Sequence, residues 1–150
     1  SFIYGPLDTL FGTRKWVAVA GNALGVVAIV LLAIDPAPSL MQVTVLLVAI
    51  AIFGGSYGLL MAHGRAFLPA HLTGRGVTLL NFYSIGGVSL AQFATGAVYS
   101  ANAVPGDPVA GYAALFWFYA ITLGAAILIY LFSKDAKPES PTDEISAAAR

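Results

Sequence analysis

Residues 43–53 read VTVLLVAIAIF and residues 125–132 read AAILIYLF, and both runs are apolar on every side. A strand of a membrane barrel would alternate apolar and polar residues over about 10 positions. These runs do not alternate, so they read as helices with no solvated face. Working outward, charge interrupts the rest of the chain just as rarely. Residues 16–34, 36–64, 76–106 and 108–133 contain no Asp, Glu, Lys or Arg. A hydrocarbon core about 30 Å thick requires roughly 20 helical residues rising about 1.5 Å each. Four transmembrane helices fit this requirement, at residues 16–34, 41–63, 76–99 and 111–132. The glycines inside them are no objection, because spanning helices tolerate glycine better than soluble ones.

The composition of the whole chain points the same way. Of 150 residues, 59% are hydrophobic and 9% charged, with a mean hydropathy of +0.84. A soluble domain carries about 25% charged residues, and a fold this small exposes much of its surface. A soluble globular enzyme, a disordered chain and a nucleic-acid binder are therefore excluded. Seven Lys and Arg balance seven Asp and Glu, which leaves no net field to attract polyanions. The absence of cysteine removes a disulfide scaffold, a thiolate metal site and a cysteine nucleophile. The fold class is an all-α membrane protein with four transmembrane helices.

The loops sort by sign. Arg14 and Lys15 precede the first span, Arg65 and Arg75 lie in the 64–75 connection, and Lys134, Lys137 and Arg150 follow the fourth span. The other two loops, DPAPS (35–39) and ANAVPGDPVAG (101–111), contain Asp35 and Asp107 but no Lys or Arg. All seven cations thus fall on one side, which the positive-inside rule makes cytoplasmic, with both termini there. Trp16, Tyr99, Tyr112 and Tyr130 stand near span ends, as interfacial anchors do. Residues 133–150 turn polar and proline-containing and read as a disordered cytoplasmic tail. The opening SFIYGPLDTLFGTRK has no initiator Met and lacks the layout of a signal peptide. Its first residues read as the end of a preceding helix, so residues 1–15 are expected to be that end plus a cytoplasmic loop.

That loop carries the most informative motif. In GPLDTLFGTRK (5–15), glycines at both ends, an acid near the helix exit and a basic pair before the next helix describe a tight turn. Asp8 is placed to accept hydrogen bonds from Arg14 or from a helix N-terminus; a plain polar turn with positive-inside charges uses the same residues.

The segment resembles the loop signature of the major facilitator superfamily, G-x-L-a-D-r-x-G-r-[RK]. Gly5, Leu7, Asp8, Gly12 and Arg14 or Lys15 match it, while Thr9 and Thr13 stand where the full pattern has basic residues. The family carries this signature between helices 2 and 3 and, in weaker form, between helices 8 and 9. Four helices and a tail follow it here, so the resemblance implies helices 9 to 12 of twelve, part of the C-terminal six-helix half. The loop HGRAFLPAHLTGRG (63–76), with Pro69 and Arg75, is similar to the connection before helix 11 in that family. Arg65 and Arg75 can meet lipid phosphates or the carboxylates of a facing domain. His63 and His71 have no carboxylate nearby in sequence and read as interfacial polar caps.

The third span bears a polar stripe. At about 100° per residue, Asn81, Ser84, Val88, Gln92 and Thr95 share an arc of roughly 80°. Amides at membrane depth need a partner: another helix, water or a ligand. The resemblance implies that helices 10 and 11 line a central cavity while 9 and 12 face lipid, which makes Asn81, Ser84, Gln92 and Thr95 substrate-cavity candidates. In the second span, Gly54 and Gly58 form a small-xxx-small pair around Ser56 and Tyr57, and Tyr57 joins the candidates. The first and fourth spans offer only Asn22, Tyr119 and Thr122 at depth, consistent with lipid-facing roles. No span holds an Asp, Glu, Lys or Arg, and no phosphate loop, metal spacing or hydrolase triad occurs. An enzyme is not expected, nor a cofactor.

The resemblance implies a secondary transporter of small solutes that works by alternating access, in a bacterial inner membrane. This chain would be its C-terminal portion, not competent alone. The partners so implied are the lipid bilayer, a small-molecule substrate and the missing N-terminal half, with no nucleic acid. The alternative is a self-contained four-helix membrane protein with a structural or regulatory role.

Overall fold

Helix caps and glycines set where each element begins. The computed structural model describes residues 12–136. Within them α1 is Arg14–Ile34, α2 is Leu40–Phe53, α3 is Tyr57–Arg65, α4 is Thr73–Asn102 and α5 is Pro108–Leu131, with a 3-10 turn at Ala70–Leu72. Thr13 is extended and its hydroxyl accepts the Trp16 N–H at 3.3 Å, so α1 starts at Arg14. Ser39 and Gln42 close a capping box on α2. Asp107 Oδ1 accepts the Val109 N–H at 3.0 Å, and a proline follows at the first turn of α5. Gly12 (φ 62°) and Gly106 (φ 87°) occupy the left-handed region that side chains avoid, each just before such a cap.

Four stretches are long and apolar enough to cross a membrane: Arg14–Ile34, Leu40–Arg65, Ala70–Asn102 and Val109–Leu131. The chain is an all-helical membrane protein in that sense. The third of these reaches further than residues 76–99, because nothing in Thr73-Gly74-Arg75 stops the helix and α4 continues to Asn102. The connection expected at 64–75 shortens accordingly, since α3 runs to Arg65.

The second span is not one helix. The Gly54 N–H closes α2 on the Ile50 carbonyl at 2.7 Å, and helix resumes only at Tyr57. A Cβ on Gly54 would sit 2.8 Å from that carbonyl oxygen, so this turn requires glycine.

α1 packs antiparallel on α5 and carries α2 on its other flank; α4 leans on α5 and touches α3. The order across the layer is α2–α1–α5–α4. α1 is the most enclosed element, with Ala18, Gly21, Gly25, Ala28, Ile29, Leu32 and Ala33 buried. Small side chains there let neighbouring backbones approach. The expectation of a lipid-facing first span holds for one face only: Leu24, Val27 and Leu31 are exposed while the opposite face forms the core. α2 and α4 bury no residue at all. Leu40, Phe93 and Phe132 are more than four-fifths exposed, a surface that water would not tolerate.

Candidate functional site

Polar side chains inside the apolar layer find one another across helices. The break between α2 and α3 is held from α1. Asn22 Nδ2 donates to Ser56 Oγ at 2.9 Å and to the Ala18 carbonyl at 2.8 Å, and Ser56 Oγ donates back to Asn22 Oδ1 at 3.3 Å. Ser56 is buried, so the pair satisfies two groups that lipid could not. One residue on, the Tyr57 hydroxyl donates to Asn81 Oδ1 at 2.5 Å and joins α3 to α4. Further along α4, Thr95 Oγ1 and the Tyr119 hydroxyl of α5 lie 3.0 Å apart, and Thr95 also donates to its own helix at the Ala91 carbonyl.

The stripe on α4 is therefore tied down at both ends. Asn81 and Thr95 meet protein, and both are half-buried. Between them Ser84 is half-buried and Gln92 exposed, and neither has a hydrogen-bond partner among the described residues. Tyr57 is 52% exposed, although its hydroxyl is engaged. Of the five cavity candidates, the structure joins Tyr57 with Asn81 and leaves Ser84 and Gln92 open on the same stripe. Asn22 and Tyr119, assigned to lipid-facing spans from sequence, turn out to be the cross-helix partners.

The charged end of the bundle is built as closely. Thr13 Oγ1 donates to Asp135 Oδ2 at 2.5 Å, and the Lys15 N–H donates to Asp135 Oδ1 at 3.1 Å. The Lys15 ammonium donates to the carbonyls of Leu131 and Ser133, both at 2.7 Å, and lies 5.4 Å from the Trp16 ring centroid. Burial pushes the Asp135 carboxyl up, but the hydrogen bonds from Thr13 and from the N–H groups of Lys15 and Ala136, with the nearby His63 ring, outweigh it and hold it below the usual aspartate range. Residues 133–136, taken from sequence as the start of a disordered tail, thus lie against the first turn of α1; the rest of that tail, 137–150, is outside the described residues.

Of the loop motif, Gly5 and Asp8 are outside the described residues. Gly12 makes the positive-φ turn, Lys15 caps α5, and Arg14 lines a cavity of about 670 Å3 with Arg65, Thr73 and Ala136. Pro69 opens the 3-10 turn, and Arg75 stands exposed in the first turn of α4. Arg14, Lys15, Arg65, Arg75 and Lys134 all belong to this end, and Asp35 and Asp107 to the two loops of the other. His71 is exposed. His63 is not the polar cap expected: it is buried between Phe67 and Tyr130, with ring centroids at 5.3 and 5.4 Å. Asp135 was not singled out in the sequence, and Thr13 stood out only as a departure from the loop signature; the available signal was a threonine just before a basic pair and an acid just past a helix. No protein-family model, curated protein or solved structure matches this chain.

Proposed function

We propose that this chain is the C-terminal portion of a secondary active transporter resembling the major facilitator superfamily, which moves a small solute across a bacterial inner membrane by alternating access, with both termini cytoplasmic. One observation carries the reading. A polar stripe on α4, linked through Tyr57–Asn81 to a helix broken at membrane depth, is left uncovered where Gln92 stands. Lipid is a poor neighbour for an amide, and a solute pathway shared with a facing half is a good one. Broken helices at such pathways free backbone groups for ligands. The loop at 5–15 then serves as a latch against the N-terminal half.

The test is a ligand-induced thermal-shift screen of the whole protein with sugars, organic anions and drug-like cations, followed by uptake of any hit into proteoliposomes. Asn81→Ala and Gln92→Ala are expected to reduce uptake, and Thr122→Ala is not, because among the described residues its hydroxyl bonds only its own helix at the Phe118 carbonyl. Equal effects of all three at matched expression would refute the cavity assignment. The second reading, a self-contained four-helix protein with a structural or regulatory role, draws on the closure of α1 on the residues after α5 by Thr13, Lys15 and Asp135. A start codon just upstream of Ser1 would favour it; about eight preceding spans would favour the transporter.

A further inference from the structure

Four buried polar atoms gather at the charged end without a hydrogen-bond partner among the described residues: His63 Nδ1 and Nε2, the Tyr130 hydroxyl and Ser133 Oγ. His63 is only 5% exposed, and its ring packs edge-on to Tyr130 at 5.4 Å. Such atoms are rarely left unmet, and each calls for an explanation. The charged groups facing the ring are Asp135 from the segment after α5 and Arg14 and Lys15 from α1, with the Lys134 backbone beside it. α5 contributes Tyr130, the ring's own helix ends in Arg65, and α4 carries only Arg75, exposed in its first turn.

We propose that His63 is a proton-binding site whose occupation draws the Asp135 carboxylate away from the N-terminus of α1 and so loosens the closure of α1 on α5. A neutral imidazole has one N–H to place; the imidazolium has two and a positive charge. Among the described residues at this end, the one anionic acceptor is Asp135, which Thr13 and the Lys15 N–H already hold. The added proton therefore sets His63 in competition with the first turn of α1 for a single carboxylate. The Lys134 backbone beside the ring is the acceptor for the second N–H. The Asp135 carboxyl is held below the usual aspartate range, so the imidazole is the group of this cluster that gains charge first as the medium is acidified.

The chain has two histidines and two tryptophans, so His71→Asn with Trp117→Phe leaves His63 and Trp16 alone of their kinds within it. Because the Lys15 ammonium rests over the Trp16 ring, Trp16 emission reports the state of the clasp. In lipid nanodiscs acidified stepwise, the His63 ring followed by nitrogen NMR is expected to take up its proton before the carboxylates do, with Trp16 emission shifting at the same midpoint. His63→Gln should abolish the emission change, and Asp135→Asn should abolish it while the ring still titrates. A ring still neutral when the carboxylates begin to protonate overturns the proposal. So does one that titrates while Trp16 stays constant, or a Trp16 transition that persists in His63→Gln. Should a variant fail to fold, the ring and emission titrations of the chain with His63 intact decide the matter.

Discussion

Lys15 and Asp135 exchange helix ends. The Lys15 ammonium reaches the last carbonyls of α5, while the Asp135 carboxylate, carried by the residues after α5, takes the Lys15 N–H in the first turn of α1. Each charge stands at the helix pole it favours, a cation at the C-terminus and an anion at the N-terminus. Contacts between residues more than a hundred positions apart thereby lock the two helices antiparallel at one end of the layer.

Asp135→Asn is expected to lower the stability of the bundle by about 1 kcal/mol, the usual worth of an N-terminal cap, and Lys15→Met by about 0.3 to 1 kcal/mol. Unfolding in mixed micelles with increasing SDS measures both. The sign of the pH dependence follows from the lowered Asp135 carboxyl. Its contribution is fully present above the ordinary aspartate value of about 3.9 and is lost as the pH falls through the lower folded value. On a His63→Gln background the gap between the parent and Asp135→Asn should therefore persist at about pH 5 to 7 and close as the pH falls below the ordinary aspartate range.

Asn22→Leu removes both partners that Ser56 has across the interface. The expected loss is about 0.6 to 1.7 kcal/mol, the range for interhelical hydrogen bonds in membranes. The same unfolding assay reads it, and Ser56→Ala should cost no more. A loss under the assay's resolution for both would mean that the break is held by packing alone.

Gly111 is buried where α5 begins, and a Cβ there would lie 2.7 Å from the Tyr99 ring of α4, which itself packs on Tyr112 at 5.2 Å. Gly111→Val is expected to displace that ring and cost about 1 to 3 kcal/mol through overpacking. Shielding of Tyr99 from a hydroxyl-directed reagent should fall with it.

Tyr57→Phe deletes the hydroxyl that orients Asn81 while keeping the ring. If the stripe lines a solute pathway, uptake should fall by less than about tenfold, within the worth of one such hydrogen bond, and Asn81→Ala should cost at least as much. Unfolding midpoints should barely move for Tyr57→Phe, because its ring is half exposed.

The fold was legible in sequence wherever a single physical quantity decided it. Uninterrupted apolar runs marked the spans, and the loops 35–39 and 101–111 and the turn at Gly12 fell where polar residues, prolines and glycines interrupt them. The break at Gly54–Ser56 was not, because glycine is tolerated in spanning helices and the serine needed to hold the gap finds its partner 34 residues away. Asn22 looked solitary for the same reason. On α4 the angular arithmetic puts Asn81, Ser84, Gln92 and Thr95 in one arc of a continuous helix, but it does not show that Tyr57 and Tyr119 engage Asn81 and Thr95. Asp135 was hidden by its surroundings: among prolines and polar residues it reads as tail, and only the proximity of two chain segments gives it a task.

The interruption after Phe53 divides the second crossing into two short levers with Ser56 as their fulcrum. The longer lever rests against α1, whereas the shorter one touches both α1 and α4. Among the described residues, contact between α4 and the second crossing therefore runs through the shorter piece alone, whose tip carries His63 and Arg65.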